Sequence, residues 1–222
     1  MEKRNIQIER NVIENAIMMA KDFIKKHRLK VVYALIAILL LFTALVSAYL
    51  YYEHRAKKEM VKYEEIMERY RALERKEDAS PAALAMTIGE MKSLVDSSKW
   101  GFVHRMGDYI LGGMYFKHKN YDDARRHYVK FAEANPKSDF SILAMQKAAM
   151  AMEYSGNYDD ALQLYRKLED LHGNSSYGDQ IYYDCARMYQ KRGDFFKAKE
   201  YFRKVITSHP RSIFSLRSRH RL

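Results

Sequence analysis

Cysteine, proline and glycine are scarce in this chain of 222 residues, which contains 1 Cys, 3 Pro and 9 Gly. A single cysteine excludes a disulfide framework within the chain and a zinc site built from cysteines. So little Pro and Gly argues against a β-sandwich, a collagen-like chain and low-complexity disorder. The composition therefore predicts a mostly helical protein.

Acidic residues are outnumbered, with 28 Asp and Glu against 39 Lys and Arg, so the net charge is +11. Such a charge, spread over a whole protein, would favour nucleic-acid binding. Here residues 1–30 carry +4, residues 53–210 only +3, and residues 211–222 another +4. Because the excess lies at the two ends, we expect no nucleic-acid partner. The basic tail is either solvated or a contact for lipid or an acidic partner.

Residues 31–52 contain no charged side chain. These 22 residues would form a helix of roughly 33 Å, against a hydrocarbon core of about 30 Å. Tyr49, Tyr51 and Tyr52 crowd one end, as in an interfacial aromatic belt. The run predicts a single transmembrane helix. A buried core helix and a signal peptide cleaved near Ala48 are the alternatives, and the long preceding segment argues against the second.

Basic residues slightly favour one orientation, since five lie in residues 21–30 and four in residues 53–62. By the positive-inside rule we expect a cytoplasmic N-terminus, with the rest of the chain in the periplasm and the span in the bacterial inner membrane. Apolar residues at helical spacing in residues 6–26 include Ile6, Val12 and Ile13. That segment either lies along the inner leaflet or is a partly frayed helix.

A repeat of 37 residues runs through the second half of the chain. Asn120-Tyr121-Asp122-Asp123-Ala124 recurs as Asn157-Tyr158-Asp159-Asp160-Ala161, and more loosely as Gly193-Asp194-Phe195-Phe196-Lys197-Ala198. Four residues after each alanine comes an aromatic residue, and twelve after it Pro136, Gly173 or Pro210. A fixed period of this length predicts stacked helical hairpins.

Each marker has a physical role in a helical hairpin. The small alanine lets two antiparallel helices approach closely, and the aromatic residue fills the space beside it. The Asp residues suit the positive end of the second helix. Pro or Gly ends the hairpin, and Ser138, Ser175 or Ser212 is expected to cap the next helix.

These markers resemble the tetratricopeptide repeat (TPR) family, with Leu111, Gly112 and Tyr115 at the matching first-helix positions. The usual first-helix tryptophan is absent, and the period is 37 rather than 34. The basic N-terminus, the span and the following repeats also resemble the membrane-anchored ancillary Sec-translocon subunit family. That resemblance rests on layout and on stretches such as Phe23-Ile24-Lys25-Lys26-His27. It implies an all-α solenoid placed near the protein-export channel.

The resulting domain organisation has five parts: residues 1–30 (basic amphipathic segment), 31–52 (span), 53–99 (membrane-proximal helices), 100–210 (three TPR-like repeats) and 211–222 (basic capping tail). A helical stripe from Met60 to Leu73 could pair with a helix from Pro81 to about Val95 as a degenerate first repeat, or form a dimerising coiled coil. Ile213, Phe214 and Leu216 are expected to cap the end of the solenoid.

Catalytic and cofactor motifs are missing. The sequence contains no glycine-rich phosphate loop and no histidine pair with metal-ligand spacing. His118 and His127 flank a predicted turn, where we expect them to be solvent-exposed. Cys185 falls where other repeats place Leu111 and Ala148, so we expect a buried, unreactive thiol. We therefore predict a protein that is not an enzyme and that binds no metal or cofactor.

Solenoids of helix pairs bind partners on the concave face formed by their first helices. Counting from the repeat alanines predicts that this face includes nine residues. They are Tyr109, Phe116, Lys117, Gln146, Met150, Tyr154, Tyr183, Arg187 and Lys191.

The sequence thus predicts a membrane-anchored TPR adaptor that binds envelope proteins, near the export translocon or periplasmic chaperones. The alternative is a structural scaffold in a large membrane machine, such as a flagellar-motor or cell-division assembly, that self-associates. The partners expected are other proteins, the bilayer and a second copy of the chain.

Overall fold

Helices make up the regular structure of the part of the chain that the computed structural model describes, residues 14–15, 17–76 and 80–222. This confirms the all-α fold class. Residues 17–26 are helical up to a turn at His27, whereas Ile6, Val12 and Ile13 lie outside the described residues. The helices that follow are α1 (Arg28–Glu74), α2 (Pro81–Ser97), α3 (Gly101–Lys117), α4 (Tyr121–Ala134), α5 (Asp139–Tyr154), α6 (Tyr158–His172), α7 (Gly178–Lys191), α8 (Phe195–Ser208) and α9 (Ile213–Arg219).

The uncharged run of residues 31–52 lies within α1. Its most apolar window of 18 residues has a mean hydropathy of 2.7, and none of that window is buried. By length and composition the helix can cross a membrane, and a signal sequence near the N-terminus would meet the same criteria. The chain divides into two compact units after Arg55.

Three antiparallel hairpins, α3–α4, α5–α6 and α7–α8, carry the 37-residue repeat. Their marker residues are almost completely buried at the contact between the two helices of each hairpin. These markers are Ala124, Ala161 and Ala198 with Tyr128, Tyr165 and Phe202. The predicted role of the small and aromatic positions is therefore confirmed by the packing, and the hairpins form a TPR-like α-solenoid.

At most hairpins, the polar residues that precede the helices cap them as the sequence predicts. The Asn120 side chain accepts a hydrogen bond from the Asp123 N–H, and Asp194 accepts one from the Lys197 N–H. Ser138 and Ser212 likewise cap α5 and α9. These side-chain acceptors satisfy free N–H groups at the helix starts, and Asp122 and Asp123 add negative charge in the first turn of α4.

The prediction that Ser175 is the N-cap of the next helix is wrong. Its hydroxyl accepts a hydrogen bond from the Tyr177 N–H, and α7 begins only at Gly178. The reason is a tight turn, closed by a hydrogen bond from the Gly178 N–H to the Ser175 carbonyl. A Cβ on Gly178 would lie 1.9 Å from the Gly173 carbonyl oxygen, so the backbone approach requires glycine.

The helical stripe from Met60 to Leu73 packs inside the chain. Ile66 and Tyr70 are buried in one cluster with Met91 and Val95 of α2 and with Val103 of α3. Ile66 and Tyr70 are therefore covered by the chain itself, whereas Met60, Tyr63 and Met67 of the same stripe are half-buried. The origin of this helix pair as a degenerate repeat stays a prediction.

At the end of the solenoid, α9 packs with a face other than the one expected. Phe214 contacts the core, but Ile213 and Leu216 are 57% and 55% exposed. Ser215 and Ser218 lie on the buried side instead, each with 0% exposure. Serine is small, so this face lets the short helix approach α8 closely.

The contact between Gly112 and Tyr128 provides a test of the close helix approach. A Cβ on Gly112 would lie 2.8 Å from the ring of Tyr128, which is buried and cannot move aside. We expect Gly112→Ala to lower the free energy of unfolding by about 1–3 kcal/mol, measured by urea titration of the full chain in detergent.

The control is Gly89→Ala, since a Cβ on Gly89 of α2 meets no atom within 4 Å. That substitution removes a helical glycine without crowding and should raise stability by about 0.5–1 kcal/mol. Equal effects of the two substitutions would contradict the role of Gly112.

Candidate protein-interaction surface

The nine predicted concave-face residues lie on α3, α5 and α7, the first helices of the three hairpins. We call this the first-helix face. Its residues differ widely in exposure, because neighbouring repeats cover some of them and leave others open. Whether they contact a partner stays a prediction.

An aromatic cluster of Phe116, Tyr121 and Tyr154 joins the first and second hairpins. The ring centroids lie 5.3 Å apart for Phe116 and Tyr154, 5.4 Å for Phe116 and Tyr121, and 5.5 Å for Tyr121 and Tyr154. Tyr154 is 59% exposed. These spacings are those of favourable aromatic pairs, and the group presents ring surface to solvent. Tyr121 was missing from the predicted face, although an aromatic residue at the start of α4 could have indicated it.

Tyr109 belongs to a second aromatic group. Its ring contacts those of Tyr128 and Phe131 in α4 and, at a centroid distance of 6.1 Å, that of Phe140 in α5. Burial raises the pKa of Tyr109 above its ordinary value. Phe140 is exposed and was missing from the predicted face. Tyr109 therefore packs between the hairpins, while Phe140 offers the accessible ring.

Two predicted residues are largely covered. Tyr183 is 8% exposed and packs against Phe202 and Phe214, and Gln146 is 4% exposed. The Gln146 amide has no hydrogen-bond partner within the described chain. In this conformation both side chains contribute to packing beneath the surface.

Arg187 connects the second and third hairpins through ion pairs. Its guanidinium donates two hydrogen bonds of 2.7 Å to the Glu153 carboxylate of α5 and one of 3.0 Å to Asp184 of α7. Asp184 is 5% exposed, and this burial raises its pKa to about 6 despite the opposing charge of Arg187. The Tyr165 hydroxyl is buried without a hydrogen-bond partner among the described residues.

The remaining cations and the methionine of the predicted face also have neighbours. Lys117 pairs with Glu74 at 2.7 Å, and the Lys191 ammonium lies 6.0 Å from the centre of the Tyr158 ring. Met150 is half-buried. Lys117 and Lys191 are exposed as well as Tyr154, so the open part of the face combines an aromatic ring with positive charge.

The expectation that His118 and His127 are solvent-exposed is wrong. His127 lies 2.8 Å from an Asp108 carboxylate oxygen and stacks on Tyr115, and His118 lies 3.0 Å from the Tyr70 hydroxyl. Burial opposes ionisation of Asp108, but His127 and Lys130 outweigh it and hold its pKa below the ordinary value. These histidines tie neighbouring helices together.

Cys185 is fully buried, and burial raises the pKa of its thiol far above the ordinary value. Such a thiol carries almost no thiolate at neutral pH and is a poor nucleophile. Among residues 14–15, 17–76 and 80–222, no group of three His, Cys, Asp or Glu side chains could hold a metal ion.

A shallow apolar groove, with a volume of about 230 Å³, lies where α4, α5 and α6 meet. Its walls include Pro136, Ile142, Met145, Leu168 and Leu171. Sequence analysis did not predict it, because residues from three helices create it only once the hairpins stack.

Stacked helical hairpins of this kind define the class of TPR-like solenoid proteins. Residues 143–175 and 182–212, which cover most of the second and third hairpins, match the model of the tetratricopeptide repeat family. The comparison with curated proteins gives no match.

Two solved structures illustrate the likeness of fold. MamA MSR-1 is 19% identical, with a TM-score of 0.48 over 73% of this chain and 97% of that chain. MamA AMB-1 is also 19% identical, with a TM-score of 0.46 over 59% of this chain and 72% of that chain.

The buried Asp184 makes stability depend on pH. Its carboxyl pKa rises from 3.8 to about 6 on folding, so the folded chain holds this proton more tightly and loses stability as pH rises between these values. Asp184→Asn removes this titration. Relative to the unmodified chain, the variant should gain about 2–3 kcal/mol between pH 4 and pH 7.

Thermal and urea unfolding, followed by circular dichroism in detergent, measures this difference. Asp179→Asn, in the first turn of the same helix, is the matched control. Parallel pH profiles for Asp184→Asn and the unmodified chain would show that the buried carboxyl does not titrate in this range.

Proposed function

We propose that the chain is a membrane-anchored adaptor whose solenoid binds other proteins without catalysing a reaction. The long apolar helix supports the anchor, and the stacked hairpins support protein binding, which is the common use of such solenoids. The single observation that carries the proposal is the aromatic cluster in which Tyr154 is 59% exposed, with Phe116 on the first-helix face and Tyr121 at the start of α4 beside it.

The chemistry of this surface favours an apolar partner segment. Arg187, Glu153 and Asp184 satisfy one another, so these charges contribute little to a new contact. The Tyr154 ring is exposed and Phe116 is half-buried beside it, and such rings supply much of the binding energy at protein interfaces. The exposed Lys117 and Lys191 add positive charge to the same face. An extended apolar or amphipathic segment of an envelope protein fits this surface.

The resemblance to the ancillary Sec-translocon subunits supports a place near the export channel or its periplasmic chaperones. In that placement the N-terminus is cytoplasmic and the solenoid periplasmic. A client segment emerging from a channel would be unfolded and apolar, which is the chemistry that the aromatic cluster accepts. The alternative remains a self-associating scaffold in a large membrane machine.

Site-specific crosslinking tests the binding surface. A photoreactive phenylalanine in place of Tyr154, used in intact membranes, should capture a translocon or chaperone component that mass spectrometry identifies. The same residue in place of Phe196, which is 83% exposed on α8, is the control. Tyr154→Ala should weaken capture by a probe at Phe116 about tenfold or more.

Each alternative gives a different pattern. Capture only of a second copy would favour the scaffold, especially if a fluorescent fusion forms one concentrated focus. Equal capture from the Tyr154 and Phe196 positions would contradict binding on the first-helix face.

A reporter fusion tests the topology. Alkaline phosphatase fused after Leu222 should be active, because this enzyme folds only in the periplasm. A fluorescent protein fused before Met1 should remain attached to the chain, because the apolar helix is retained rather than cleaved. An inactive phosphatase would contradict the orientation, and loss of the N-terminal tag by cleavage would identify residues 31–52 as a signal sequence.

A further inference from the structure

The positive charge of the chain is concentrated in its last hairpin helix and tail. Residues 53–194 hold equal numbers of basic and acidic residues, 23 of each. Residues 195–222 hold eight basic residues and one acidic residue, which gives +7 of the total +11. The C-terminal part of the solenoid therefore has a strong local charge that the other repeats lack.

Most of these cations have no acidic partner in the part of the chain that the structure describes. Lys204 pairs with Glu169 at 2.6 Å, Lys197 lies 3.9 Å from Asp194, and Arg217 lies over the Phe214 ring at 5.5 Å. The unpaired and exposed ones are Lys199, Arg203, Arg211, Arg219 and Arg221. These side chains are free to meet negative charges outside the chain.

Apolar side chains share this surface. Ile213 and Leu216 point away from the core on α9, and Leu222 is 46% exposed. Ser215 and Ser218 face inward, and their hydroxyls have no hydrogen-bond partner among the described residues. The buried side of α9 thus carries Phe214 with two serines, while Ile213 and Leu216 face water, which is unfavourable for aliphatic side chains. Contact with an apolar phase would bury these two residues.

The combination of arginines with exposed aliphatic side chains favours one kind of binding partner over the others. A second copy bound symmetrically through this surface would bring two stretches of +7 together, and their repulsion would oppose the dimer. Nucleic acid would satisfy the arginines but gains little from exposed aliphatic side chains. An anionic bilayer offers both phosphates for the arginines and an acyl boundary for Ile213, Leu216 and Leu222.

We propose that residues 211–222 form a second membrane contact, which docks on phospholipid surfaces that carry negative charge. Arginines bind the phosphate groups, and the aliphatic face of α9 enters the interface between headgroups and acyl chains. The contact is independent of protein binding on the first-helix face, since it uses none of the same residues.

Vesicle flotation with the full chain tests this contact. The chain is inserted in nanodiscs of phosphatidylcholine, so that its apolar helix is already occupied, and mixed with protein-free vesicles. Vesicles rich in phosphatidylglycerol should capture the nanodiscs, whereas vesicles of phosphatidylcholine should not. Added salt should weaken the capture.

Two sets of variants locate the contact. Arg211, Arg217, Arg219 and Arg221 changed together to Gln should lower partitioning roughly fivefold for each arginine removed. The matched control removes the same charge from other exposed positions, through Lys99, Arg105, Lys137 and Lys167 changed to Gln. Leu216→Gln should also lower partitioning, and circular dichroism checks that each variant keeps its helix content.

Several results would overturn the proposal. Capture that is equal on neutral vesicles, or lost equally in the control set, would exclude a specific role for residues 211–222. If the nanodiscs do not bind vesicles but form pairs, and Leu216→Gln abolishes the pairing, this surface is a contact between copies of the chain. Retention on an acidic polypeptide without vesicle capture would identify a protein partner instead.

Discussion

The close approach of two antiparallel helices over a small residue is the contact on which this structure depends. Ala124, Ala161 and Ala198 leave room between the helices of each hairpin, and the aromatic residue one turn later fills the space beside them. Each hairpin alone is too small to bury its own core, and the stacking of neighbouring hairpins covers these contacts. A larger side chain at these positions would separate the helices and expose the aromatic rings.

Polar contacts between helices fix their relative positions within this apolar stack. The bidentate pair between Arg187 and Glu153 links two hairpins, and Asp184 completes it from the buried side. A buried ion pair contributes little net stability, because desolvation offsets most of its attraction, but it fixes the relative position of the helices that carry it. The same contacts hold Arg187 within the stack, whereas Lys117, Tyr154 and Lys191 of the first-helix face remain exposed.

Much of the fold could be predicted from the sequence, but the solvent exposure of individual side chains could not. The 37-residue spacing located the hairpins and their alanine and aromatic contacts, since those contacts join residues close in sequence. Tyr183 and Tyr154 were both predicted to lie on the concave face, yet Tyr183 is covered by Phe202 and Phe214 whereas Tyr154 stays open. His127 was expected in solvent because its partner Asp108 lies on the preceding helix, 19 residues away. The face of α9 was likewise misassigned, because apolar residues were assumed to point inward.

The sequence by itself determined the helices, their pairing, the apolar run of residues 31–52 and the distribution of charge, since these depend on composition and short-range spacing. Only the tertiary structure decided which charges are paired, which aromatic rings remain accessible and that serines rather than aliphatic residues face inward on α9. The physical reason is that solvent exposure of a side chain depends on neighbours from other helices, and their approach is set by the packing of the whole stack.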